Sequence, residues 1–137
     1  MAGERPLPQP DDETAFFWEG AKAGRLMILR CDDCGTYIHL PKPACRSCGG
    51  ERLSPAEVSG RGVVHSFTVS HTPLPGFDPP FAIVLVELEE QKGLRLVTNL
   101  VGVDPADVRI DTPVEVVFTP VADDVTLPLF RVRESTA

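Results

Sequence analysis

Apolar and polar positions alternate with a short period along most of this chain, and one early segment breaks that rhythm. Glu13 to Lys22 has helical propensity, with acidic residues at its start, Asp11 or Asp12 as the N-cap and Gly24 as the stop. Phe16, Phe17 and Trp18 cover more than one narrow stripe of that helix, so part of the cluster is available to a partner surface. Leu-Met-Ile-Leu-Arg over 26–30 predicts a short strand running into Cys31, and Tyr37, Ile38 and Leu40 predict a second. Five β-rich segments follow, 58–71, 81–89, 94–101, 114–120 and 127–132, separated by Gly, Pro and Asp turns.

Within the first of these, Val63, Phe67 and Val69 alternate with Val64, Ser66 and Thr68, whereas 82–86 is apolar at every position and predicts a central strand covered on both faces. A helical turn over 104–108 sits where a five-stranded Greek-key barrel of OB type carries its extra helix. The expected fold is mainly β: a flexible arm over 1–11, an N-terminal helix within 12–25, a small zinc ribbon over 26–54, a five-stranded OB-fold barrel over 55–133 and a tail over 134–137.

Composition changes this picture little. A chain of 137 residues with 42% hydrophobic residues can bury a self-sufficient core, and 14 prolines and 11 glycines suit many short elements. Thirteen basic against twenty acidic residues give a net charge of -7, which repels nucleic acid on average. No apolar run reaches the roughly 18 residues that span a bilayer, and 1–12 lacks signal-peptide character, so a cytoplasmic setting is expected.

In a reducing compartment, close cysteine pairs favour metal ligation over disulfides. Cys31, Cys34, Cys45 and Cys48 form two CxxC pairs, each followed by a glycine, Gly35 and Gly49. Two such knuckles complete a closed tetrahedral site for one structural zinc ion. A redox dithiol needs its CxxC at a helix N-terminus in a βαβ setting, whereas both pairs here lie between strands. Four thiolates also leave no open position for water or substrate, so the expected role is to stabilise rather than to react.

Catalytic groups are harder to find. His39, His65 and His71 fall in no nucleophile or metal motif; His39 is an alternate metal ligand or a nearby imidazole, and the other two share a strand face with Phe67 and Val69. Glu87, Glu89 and Glu90 enter a turn where charges are normally solvated. Phosphate loops, nucleotide fingerprints and serine elbows are missing from the sequence.

The aromatic helix, the double CxxC and the following β segments resemble the DUF35 family over roughly Asp12 to Arg133. The resemblance also rests on the run from Gly60 to Val69, on Pro75-Gly-Phe77 followed by the run from Pro80 to Leu88, and on the run from Arg109 to Val116. Arg46 stands where the family often has proline, and Asp111 where it often has glycine; Asp tolerates left-handed geometry better than most residues. The resemblance implies an OB-fold protein with a rubredoxin-like zinc ribbon, an accessory subunit of a thiolase-superfamily enzyme that acts on acyl-CoA. The closest type is the actinobacterial one, which works in steroid side-chain degradation beside a thiolase-like aldolase or fused to an acyl-CoA hydratase. It gives zinc ligation to the four cysteines and a catalytic role to no residue.

The function expected is therefore that of a noncatalytic subunit in a hetero-oligomer, with neither nucleic acid nor membrane as partner. Its partner or acyl-CoA interface draws on Phe16, Phe17 and Trp18 and on Leu74, Phe77 and Phe81, where the proline-rich loop either docks on a partner or packs on its own barrel. Two alternatives stand beside this. One is a single-strand nucleic-acid module, which needs an aromatic and basic stripe. The other is independent acyl-CoA binding, with Arg61, Arg95 or Arg109 meeting phosphates.

Overall fold

The computed structural model describes residues 6–133, so 1–5 of the expected arm and all of the expected tail, 134–137, lie outside the described residues. Residues 6–10 carry no regular structure. Helix α1, Ala15–Lys22, starts two residues later than its propensity predicts. Asp11 does cap, but it caps the leading turn: its carboxylate accepts from the backbone N–H of Glu13 and Thr14 at 3.0 and 2.9 Å and from the Thr14 hydroxyl at 3.0 Å. Those bonds, the Thr14 hydroxyl first, hold the Asp11 carboxyl below its usual range. At the other end Gly24 takes a φ of 77°, and the N–H of Arg25 reaches back to the Gly20 carbonyl at 2.8 Å, which closes the helix.

The next strands form a three-stranded antiparallel sheet in the order β2-β1-β3, from β1 Leu26–Cys31, β2 Tyr37–Ile38 and β3 Leu53–Val58. β2 ends at Ile38, and Leu40, expected in that strand, is 67% exposed beyond it. β3 escaped the sequence reading, which began its strand at Val58. Pro55 at its centre, opposite Leu29, argues against a strand, yet β3 is an edge and an edge tolerates the missing N–H. Gly60, with φ 79°, then turns the chain into the barrel; a Cβ there would lie 2.3 Å from a Val116 methyl, so only glycine fits.

The barrel is closed, in the order β4-β5-β6-β8-β7, with β7 pairing back on β4. Its strands are β4 Arg61–Ser70, β5 Phe81–Leu88, β6 Arg95–Val101, β7 Pro113–Ala122 and β8 Val125–Val132. β6 and β8 run parallel, and the other neighbours antiparallel, which is the OB arrangement. The helical turn expected over 104–108 is a single 3-10 turn, Pro105–Asp107, capped by the Asp104 side chain on the N–H of Ala106. Asp111 takes φ 67° after it.

Two expectations about strand faces change. Val64 pairs with Val86 but Ser66 pairs with Leu85, so a bulge at His65 shifts the alternation. Before the bulge the inward residue is the fully buried Val64; after it Phe67 and Val69 face the same way as their partners Val84 and Ala82. Val63 therefore lies on the opposite face from Phe67, His65 is the exposed bulge residue, and His71 is exposed beyond the strand end. β5 is covered fully on one face only: Ala82, Val84, Val86 and Leu88 are buried, while Phe81, Ile83, Leu85 and Glu87 are half-buried. On the outer face, Phe81 and Ile83 share a groove with Leu74 and Phe77 of the preceding loop, and Phe77 stacks on Phe81.

The main core joins Val64, Val86, Val114 and Phe130, all fully buried in the barrel, to Phe17 of α1, Leu26 and Ile28 of β1 and Val58 of β3. A second, smaller cluster holds Cys31, Ile38 and Cys45, with Leu29 and Leu53 against it. β1 thus feeds both: its first residues enter the main core and its last, Cys31, belongs to the second cluster. No helix among the described residues is long and apolar enough to cross a membrane.

Candidate metal centre

Two short loops built alike bring the sulfurs together. In the first, the N–H of Gly35 donates to the Cys31 carbonyl at 2.9 Å and that of Cys31 to the Thr36 carbonyl at 2.8 Å. In the second, Gly49 donates to the Cys45 carbonyl and Cys45 to the Gly50 carbonyl, each at 2.8 Å. Both turns demand a left-handed residue after the second cysteine, and Gly35 and Gly49 take φ 80° and 77°.

Cys31 and Cys48 sulfurs are 3.6 Å apart, as are those of Cys34 and Cys45, and all four lie within 4.8 Å of one another. Bonds of about 2.3 Å to a tetrahedral zinc place thiolates about 3.8 Å apart, so the cluster fits a single ion of this kind with little adjustment. Cys31 and Cys45 are buried and Cys34 and Cys48 face outward. Backbone N–H groups of Ser47 and Gly50 point at the sulfurs of Cys45 and Cys48 at 3.4 Å.

Electrostatics supports a cation here. Hydrogen bonds from the backbone, that of Cys48 first, draw Cys45 down to about 6, and the Thr36 hydroxyl lowers Cys34. Cys48 goes the other way: although the Gly50 N–H favours its thiolate, contact with the sulfurs of Cys31 and Cys34 pushes it up to about 12. Packed sulfurs resist sharing several negative charges, and a dication between them removes that repulsion. Arg52 lies against Asp33 and raises no bar to this, since its charge is taken up by that carboxylate.

His39 is not in the sulfur cluster. Its ring sits 5.9 Å from that of Phe17, and burial lowers its pKa. Gln91, given no role by the sequence, makes the direct bond between ribbon and barrel: its amide oxygen accepts from the Tyr37 N–H at 2.9 Å and its NH2 donates to the Tyr37 carbonyl at 3.0 Å. A side chain from the β5–β6 turn thereby completes the outer edge of β2. The neighbouring carboxylates are engaged rather than merely solvated: Glu87 pairs with Arg95 at 3.2 Å, Glu89 with Arg61 at 3.0 Å, and Glu90 accepts from the Ser59 N–H at 2.7 Å. Arg109 donates to the carbonyls of Ala106 and Val108. The three arginines considered for phosphate contact are thus held by the chain's own acceptors.

The aromatic residues divide. Phe17 is 9% exposed in the main core; Trp18 stands edge-on to it at 4.9 Å; Phe16 lines a shallow groove with Leu29, Pro41 and Leu53. Trp18, His39 and Leu40 form one wall of a groove of about 290 Å³ whose other wall is Val97, Thr98 and Leu129. In the proline-rich loop Phe77 stacks on Phe81 at 4.8 Å, so the loop packs on its own barrel there, while Leu74 remains 46% exposed.

Comparison with known proteins follows this division. Residues 18–54 match the rubredoxin-like zinc ribbon domain of ChsH2, and 56–119 its C-terminal OB-fold domain. A probable enoyl-CoA hydratase alpha subunit of Thermomonospora curvata is 43% identical over 93% of this chain, which spans only 40% of that protein. A DUF35 domain-containing scaffold protein of Methanothermobacter thermautotrophicus is 33% identical over 69% of this chain and 72% of its own. The benzoylsuccinyl-CoA thiolase subunit BbsA of Thauera aromatica is 30% identical over 90% of each chain. Among solved structures, a chain of the Ltp2-ChsH2(DUF35) aldolase superposes with a TM-score of 0.84 at 42% identity, over 91% of this chain and 98% of that one.

Proposed function

The chain belongs to the DUF35 family, and from that membership we propose that it is a noncatalytic accessory subunit of a thiolase-superfamily enzyme acting on acyl-CoA, with one structural zinc ion held by Cys31, Cys34, Cys45 and Cys48. The observation that carries the reading is the likeness, over nearly the whole of both chains, to a chain of the Ltp2-ChsH2(DUF35) aldolase. The thiolase subunit of Thauera aromatica and the archaeal scaffold protein support it from more distant branches.

The site chemistry agrees. Four thiolates saturate a tetrahedral ion, which then crosslinks two loops and offers no position to a substrate. The cysteines hold the ion, and the glycine turns and backbone N–H groups hold the cysteines. Arg61, Arg95 and Arg109 are engaged on Glu89, Glu87 and the Ala106 and Val108 carbonyls, so the three arginines considered for phosphate contact favour contact with CoA through a partner.

Co-expression with each thiolase-superfamily enzyme of the source organism tests this. One of them copurifies at fixed stoichiometry, loses activity or solubility when made without this chain, and brings one zinc per chain by elemental analysis. Separate elution from all of them, each fully active and soluble without it, overturns the reading. The likeness to a hydratase alpha subunit favours a second reading, in which the same chain serves a hydratase, and co-expression with the organism's enoyl-CoA hydratases separates the two.

A further inference from the structure

The groove beside α1 and the smaller one beside the proline-rich loop share a wall, Val97, Thr98 and Asn99. Together they make one band that runs from Leu40 on the ribbon, across Val97 on β6, to Leu74 and Phe77. Leu40 and Val97 both line the first groove, each 67% exposed, an unusual exposure for such side chains to be left facing water together. Of the described residues that line either groove, none is Asp, Glu, Lys or Arg, although the chain carries 33 such residues, 13 basic and 20 acidic.

We propose that this band is the docking surface for the thiolase-superfamily partner, and that the occupant is an apolar protrusion of that enzyme rimmed by basic residues. This rests on the accessory-subunit reading and adds to it the surface and the chemistry of the partner's matching face. Charge selects the occupant. Asp12, Glu13 and Glu19 flank Thr14 and Trp18 and Asp78 follows Phe77, against Lys22 and Lys42, while Arg95 and Arg131 near Val97 and Leu129 are paired with Glu87 and Glu115, so the flanks are acidic on balance. A second copy of a chain with net charge -7 would bring acidic flank against acidic flank. A CoA phosphate finds no cation among the lining residues. A volume of about 290 Å³ takes one or two large side chains, the scale of an interface anchor. Because one wall is ribbon and helix and the other is barrel, the protrusion is gripped only when the two hold their present relation.

The test uses the full zinc-loaded chain and the enzyme that copurifies with the wild type. Val97→Glu and Leu40→Asp change exposed side chains and leave the thermal transition and zinc content as in the wild type; each weakens binding about 100-fold by titration calorimetry. Ile110→Glu alters an equally exposed apolar residue, at 58%, that lines neither groove, and binds within twofold of the wild type. If no enzyme binds the wild type, the accessory-subunit reading has failed. If one binds and tolerates both Val97→Glu and Leu40→Asp, the band is wrong while that reading stands. Sedimentation that shows a wild-type dimer made monomeric by Val97→Glu assigns the band to a second copy and overturns the proposal, as does acyl-CoA binding to the chain alone that Val97→Glu abolishes.

Discussion

The ribbon and the barrel solve the same problem with different materials. In the barrel, Val64, Val86, Val114 and Phe130 are wholly out of water and five strands close on themselves, so burial and paired backbone suffice. In the ribbon the buried cluster is Cys31, Ile38 and Cys45, with two-residue β2 at one edge and proline-bearing β3 at the other. Such a patch of apolar area is small, and under the proposed function sulfur bonds to a metal supply what packing does not. The contrast teaches where each region is vulnerable: the barrel to loss of volume, the ribbon to loss of its ion.

The strongest way to break the comparison is to remove the metal. Chelation, or Cys31→Ser, withdraws a contribution on the order of 10 kcal/mol that structural zinc makes to a folded ribbon. Amide hydrogen exchange then shows β2 and the paired Cys31 and Leu53 ends of β1 and β3 losing protection while β4 to β8 keep theirs. Collapse of protection in the barrel as well would mean that the two regions fold as one unit through β1.

A smaller perturbation sharpens the joint between them. Gln91→Leu leaves the Tyr37 N–H and carbonyl without their partner and costs about 1–3 kcal/mol of ribbon docking. The readout is faster exchange at the Tyr37 amide and faster zinc loss to a chelator, with barrel protection unchanged. Equal zinc-loss rates in wild type and variant would show that the main-core residues of α1, β1 and β3 hold the ribbon in place without Gln91.

The gentlest probe is pH. Burial holds the His39 pKa below its ordinary 6.5, so the folded state binds fewer protons there than the unfolded chain. Its stabilising effect is whole above about pH 6.5 and is lost as pH falls through the lower folded value. His39→Gln flattens the stability profile on the acid side of pH 6.5, measured by thermal denaturation across pH 5 to 8. An unchanged slope would locate the titration elsewhere.

Much of this molecule could be read from residue order. Local rules suffice where one residue type meets one geometric demand. Cysteines two apart with glycine behind them specify a knuckle, since the left-handed turn at Gly35 and Gly49 admits little else. Alternation and turn residues likewise placed the five barrel strands to within a few residues. Where two local signals conflicted, reading failed: Pro55 hid β3, whose tolerance of proline depends on its being an edge, and that is a property of the assembled sheet. The bulge at His65 similarly depends on β5 across the ladder, and no periodicity within β4 shows it.

The sequence by itself specified two glycine-backed CxxC knuckles and the positions of the five barrel strands, because each follows from residue types at short spacing. Only the tertiary structure decided that Gln91 grips Tyr37, 54 positions away, and that Leu40 and Val97 flank one groove. Those relations join the ribbon to the barrel, and a contact between distant segments is set by how their cores pack, which no local pattern encodes.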